Sequence, residues 1–180
     1  MLTGFTKQQV ISLLSSHTLW GKKACREILN RKDEFIPLLI EILDNAIDDP
    51  DPYIYGEKDD HIPAALLLAQ MKVCEAYPRL IKLISYDEET VGALWGDILT
   101  QDYTQMLRDT FNEDGSLLPR LIEDRSICEW ARSMSVLAYG MHYFDDWHNP
   151  LFAADDLHID DAIKNLDYWE WFKKKEDSED

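Results

Sequence analysis

Pro37, Pro78 and Pro119 stand 41 residues apart, and each sits in the same local context. The chain reads Pro37-Leu38-Leu39-Ile40-Glu41, then Pro78-Arg79-Leu80-Ile81-Lys82, then Pro119-Arg120-Leu121-Ile122-Glu123. A five-position pattern that recurs three times at one period marks an internal repeat. Its physics is simple. Proline is favoured in the first turn of a helix, where its missing N–H would find no intrahelical partner anyway. The Leu-Ile pair that follows starts an apolar stripe. Upstream of each proline, residues 20–30, 62–72 and 103–111 also read as helices. In the second copy Ile62, Ala65, Leu66, Ala69 and Val73 recur at the spacing of one helical face. Ala64, Ala65 and Ala69 let a partner helix come close. The unit is a helical hairpin, with proline opening its second helix.

A third segment follows each hairpin. Residues 88–100 and 127–143 read as helical. Residues 47–60 contain Asp48-Asp49-Pro50-Asp51-Pro52 and read as a loop, because paired prolines and clustered acids oppose a helix. A period of 41 built from helices lies in the HEAT and armadillo range. No stretch alternates with period two for long enough to propose a sheet. The fold expected is all-α: a HEAT/armadillo-like α-α superhelix, a short right-handed solenoid with a curved surface. One domain is expected over residues 1–173, with units at about 20–60, 61–101 and 102–142 and a C-terminal helix at about 159–173. Residues 174–180 read as a charged, frayed tail.

Local signals agree. Thr6-Lys7-Gln8-Gln9 has the form of a capping box. Asp102, with Gln105 three residues on, precedes another helix. Gly115-Ser116 can turn the chain and cap the helix that carries Pro119.

Charge narrows the function classes. The 180 residues carry 35 acids against 18 bases, a net charge of −17. That balance argues against nucleic acid and against anionic lipid as partners. It is also uneven: residues 1–32 hold six basic side chains and one acid, so they carry +5 and the remainder −22. No signal peptide is read at the N-terminus, and the longest apolar run, 62–71, is too short to span a bilayer. Cys25, Cys74 and Cys128 are three widely spaced cysteines, which read as reduced, buried thiols and a cytoplasmic location.

Several segments together resemble one known family. They are His61-Ile62-Pro63-Ala64-Ala65-Leu66-Leu67-Leu68-Ala69-Gln70, the run from Ala76 to Ile81, and Gly96-Asp97-Ile98-Leu99-Thr100-Gln101-Asp102. Residues 118–124, Glu129-Trp130-Ala131-Arg132-Ser133 and residues 159–164 join them. The set is similar to the bacterial domain-of-unknown-function family 1186, over about residues 2–143 and again 159–172. The Gly-Asp-Ile-Leu-Thr-x-Asp run is the most specific piece. The resemblance implies an all-helical, HEAT-like fold and no established activity. Some members carry a C-terminal cysteine-rich SEC-C motif that binds zinc; here no cysteine follows Cys128, so that zinc role is not carried over.

Three groups of residues are candidate sites. Asp97, Thr100 and Asp102 fall in the family's most specific run; they offer a carboxylate pair or, more simply, helix caps. Beside the repeated prolines, Arg79, Lys82, Arg120 and Glu123, with Leu38 and Glu41 in the first copy, would line the curved inner face. His142, Asp145 and His148 could ligate a divalent metal, against the simpler reading of a solvated acidic loop. Six tryptophans read mostly as core; an exposed one would suggest an interface. The chain has no Gly-rich phosphate loop, no Gly-x-Ser-x-Gly elbow and no His-Glu-x-x-His, so no cofactor is expected.

The function expected is a non-enzymatic adaptor that binds a protein partner, a basic one, through an acidic curved surface. Self-association is a further expectation, because a positive end and a negative body suit head-to-tail contacts. The alternatives are an immunity- or inhibitor-type protein that masks a basic partner, and an enzyme using a metal at His142/Asp145/His148 or carboxylates at Asp97/Asp102.

Overall fold

The computed structural model describes residues 5–15, 19–112 and 115–143. Among these residues there is no strand, and the fold is all-α. The C-terminal helix and tail expected over 159–180 lie outside the described residues.

The chain opens with α1 (Lys7–Ser12), and the capping box read from sequence is in place. Thr6 Oγ1 accepts from the Gln9 N–H at 3.2 Å, and Gln9 Oε1 accepts from the Thr6 N–H at 2.8 Å. Next come α2 (Leu19–Asn30) and α3 (Lys32–Asp48), separated only by Arg31. Here the proline rule needs correcting. Pro37 lies inside α3, in its second turn, and does not open it. Arg31 explains the early start: its guanidinium holds Glu34 at 2.9 and 3.0 Å and Glu27 at 3.2 Å. Asp33 and Glu34 also suit the positive end of the helix dipole. Pro78 and Pro119 do fall in first turns, those of α6 (Tyr77–Leu83) and α10 (Leu117–Glu123).

Between α3 and the helix that begins at His61, the expected loop contains one helical turn, α4 (Asp51–Ile54). Pro52 sits in its first turn, where proline fits, and buried Tyr53 anchors it. The following α5 (His61–Gln70) is buried from His61 through Ala69 on every side, not on one face. A helix apolar all round belongs at the centre, and α5 packs on α2, α3 and α9 (Tyr103–Thr110). A 3-10 turn, Cys74–Ala76, leads into α6. The helix expected over 88–100 is two: α7 (Glu88–Trp95) and α8 (Ile98–Gln101). Gly96 breaks it at φ +51°, a backbone region costly for any other residue. Asp87 caps α7 by accepting from the Thr90 N–H at 3.0 Å. The expected cap at Ser116 is absent, because Ser116 is itself in helical conformation and its side chain makes no cap bond. The last described helix is α11 (Glu129–Tyr143).

Neighbouring helices pack in series. α2 contacts α5, and α5 contacts α9. α3 contacts α6, and α6 contacts α10. α4 contacts α7, and α7 contacts α11. Aromatic rings cross these junctions edge to face: Tyr53 on His61 and His61 on Trp95 at 5.0 Å each, then Trp95 on Tyr103 at 4.7 Å. Tyr103 donates its hydroxyl to the Leu80 carbonyl at 2.9 Å, and Trp95 donates to Leu83 at 3.4 Å. Cys25 and Cys128 are buried and free, as expected, and burial pushes the Cys25 thiol up to about 12. Cys74 is exposed, contrary to expectation, because the inward position of its 3-10 turn is taken by Ala76. Trp95 is core, whereas Trp130 is 56% exposed.

Candidate functional site

The three groups named from sequence fall in different parts of the fold. Asp97 and Thr100 are exposed at α8. Thr100 Oγ1 donates to the Asp97 carbonyl at 3.0 Å, a bond within one turn. Neither Asp97 nor Asp102 caps the helix it precedes. Both have helical backbone angles, with φ −68° and −109°, and a capping side chain needs an extended residue to reach the next N–H groups. The capping reading of this run is thus corrected.

Beside the prolines, Arg79 is a strut. Its guanidinium binds both carboxylate oxygens of Asp44 at 2.8 and 2.9 Å, which ties α6 to α3. A further N–H goes to the Glu75 carbonyl at 2.8 Å. Lys82, Arg120 and Glu123 are exposed. His142, near the end of α11, is exposed and stacks on Phe111 with ring centroids 3.5 Å apart. Asp145 and His148 lie outside the described residues. Among the described residues no three His, Cys, Asp or Glu side chains gather as a metal site.

A concavity lies elsewhere, between α1 and α3. Gln8, Ile11 and Ser12 share one face of α1, at spacings of three and four. Leu38, Glu41, Ile42 and Asn45 share the facing stripe of α3 for the same reason. Asp60, just before α5, completes a groove of about 310 Å³. Its walls are apolar at Ile11, Leu38 and Ile42, and Gln8, Ser12, Glu41 and Asn45 edge it with polar groups.

Asp60 is the unusual member. Its Oδ1 is buried and has no hydrogen-bond partner among the described residues. Burial raises its pKa, with Lys58 opposing and Asp59 adding to the rise. The loop that delivers it turns at Gly56, φ +72°, and is held by the Pro52 carbonyl, which accepts from the Glu57 and Lys58 N–H groups at 2.8 and 3.0 Å. Next in sequence, His61 points into the core. Its ring lies 2.8 Å from the Leu94 carbonyl, so Nε2 donates there, and Nδ1 is buried without a partner. Burial drives its pKa down to about 4, so the imidazole is neutral at pH 7. Tyr53 is pushed up to about 12 by burial, with the Asp60 and Asp49 carboxylates adding to it.

Asp60, Gln8, Ser12 and Asn45 were not candidates from sequence. The available signal was Asp59-Asp60-His61 set directly against a wholly apolar helix, where polar groups need a reason to be. Glu41 and Leu38 were anticipated only as first-copy members of the proline face. Chemically, the groove offers carboxylates, amides and an apolar wall, which suits recognition of a cation.

Residues 8–143 match the model of a family described as protein of unknown function (DUF1186). The chain belongs to the DUF1186 family. An uncharacterized protein of Chlamydia muridarum is 29% identical over 116 residues, covering 64% of this chain and 46% of the relative. One from Chlamydia trachomatis serovar D is 28% identical over the same length and shares. The chain thus spans about half the length of these relatives. No solved structure matches it. The match takes in the Gly96–Asp102 run, the groove and all the described helices from α2 onward. Among the described residues no helix is long and apolar enough to cross a membrane.

Proposed function

We propose that this DUF1186 chain is a HEAT-like helical-repeat adaptor that binds a basic protein partner through an acidic surface and performs no chemistry itself. The observation that carries the reading is the serial packing: α2–α5–α9, α3–α6–α10 and α4–α7–α11 each take one helix from successive stretches of the 41-residue period. Such packing supports a single repeat domain with units near 20–60, 61–101 and 102–142. Stacked units present a continuous surface, and the sequence beyond residue 32 carries a net charge of −22. Arg79, a cation expected on the inner face, is neutralised internally by Asp44, while Glu41, Asp97 and Glu123 stay exposed. An acidic surface speeds encounter with a basic partner and makes binding sensitive to salt. A cytoplasmic setting suits its free cysteines.

The test is capture from nuclease-treated source lysate with the tagged full chain, at low and at high salt, with partners identified by mass spectrometry. A basic protein at near-equal stoichiometry, lost at high salt, is the expected result. No enriched protein at either salt contradicts the adaptor reading.

A further inference from the structure

Resting on that adaptor reading, we propose that the groove between α1 and α3 seats one arginine or lysine side chain of the partner. Shape and charge both point to this occupant. Ile11, Leu38 and Ile42 form an apolar wall that suits the methylene stem of a long basic side chain. Glu41 and Asp60 place carboxylates where its charged head would lie. A volume of about 310 Å³ holds one such side chain, not a folded element.

The Asp60 carboxyl supplies a second reason. Its Oδ1 is shut off from solvent without a hydrogen-bond partner, and a cation seated beside the carboxylate in the groove offsets that cost electrostatically. Among the described residues, the nearby cations do not fill this role. Lys7 pairs with Glu34 at 3.6 Å, and the Lys58 ammonium stands over the Tyr53 ring, 5.5 Å from its centre. An anion would be repelled by two carboxylates. A neutral apolar ligand would leave the Asp60 oxygen as it is.

The experiment is an amide-resolved NMR titration of the full chain. Its probes are three capped pentapeptides with leucine on both sides of a central arginine, lysine or citrulline. Citrulline keeps the shape of arginine without its charge. The arginine and lysine peptides should shift the amides of Gln8, Asn45 and Asp60 saturably. The citrulline peptide, and Asp60→Asn titrated with the arginine peptide, should bind at least about tenfold more weakly. Exposed Glu41 gives a second variant, Glu41→Gln, which should weaken binding without any risk to the fold. Equal binding of the citrulline peptide, shifts confined to other helices, or no weakening in either variant would overturn the assignment. The two proposals fail separately. If Asp60→Asn/Glu41→Gln captures a basic partner undiminished, the groove is wrong and the adaptor stands. If the arginine peptide fills the groove but no partner is captured, the adaptor reading is wrong and the groove stands.

Discussion

A histidine inside a helical core must be kept neutral, and His61 is kept so by burial rather than by a charged neighbour. Its folded pKa of about 4 lies below the ordinary 6.5, so between those values the unfolded chain binds the extra proton. The His61 contribution is therefore fully present above pH 6.5 and is lost as pH falls toward 4. Urea unfolding should show stability falling by about 2 kcal/mol from this source between pH 7 and pH 4.5. His61→Gln should flatten that slope whatever its own stability, and an unchanged slope would contradict the assignment. Arg79 gives a second residue-scale expectation. Its pair with Asp44 is partly exposed, so Arg79→Ala should cost only about 1 kcal/mol, against nearly nothing for exposed Lys82→Ala. Urea midpoints for the two variants decide this. At this scale the sequence was only partly legible. Arg79 was singled out as a binding residue on its place after a proline, but its partner, Asp44, lies 35 residues away and only the packing of α6 on α3 brings them together. Asp60 was passed over because nothing local shows that an aspartate's oxygen will lose its water.

Elements were easier to read than residues. α2, α5, α9 and α11 start and stop close to where periodicity places them. The errors come from single residues whose effect outweighs the pattern. Arg31 starts α3 a turn early and leaves Pro37 inside it. Gly96 splits a segment that reads as one helix into α7 and α8. The glycines of this region give a paired prediction. At Gly96 a Cβ meets nothing within 4 Å, but φ is +51°, so Gly96→Ala should destabilise by about 1–2 kcal/mol through backbone strain alone. At Gly92, inside α7, a Cβ also meets nothing within 4 Å and φ is not positive. Gly92→Ala should therefore stabilise by about 0.5–1 kcal/mol. Thermal melts of the two variants should move in opposite directions; a shared direction would contradict the account from backbone angle.

For the whole molecule, the repeat and the charge carry the account. The 41-residue period is visible in the sequence because three prolines and their Leu-Ile pairs keep register. The way helices from successive stretches meet is visible only in the fold, because α5 has no polar face to reveal which side meets α3 and which meets α9. The acidic balance was legible from composition, but the groove between α1 and α3 was not, because it pairs faces about 30 residues apart. A surface of this charge predicts that partner affinity falls steeply with added salt, which isothermal titration at rising ionic strength will measure. The central claim is that a basic protein binds this stack at the face holding the groove between α1 and α3. Hydrogen exchange on the captured complex tests it most directly. Slowed exchange confined to α1, α3 and the turn before α5 is the predicted result. Slowed exchange confined to α11, where Trp130 is exposed, would contradict it.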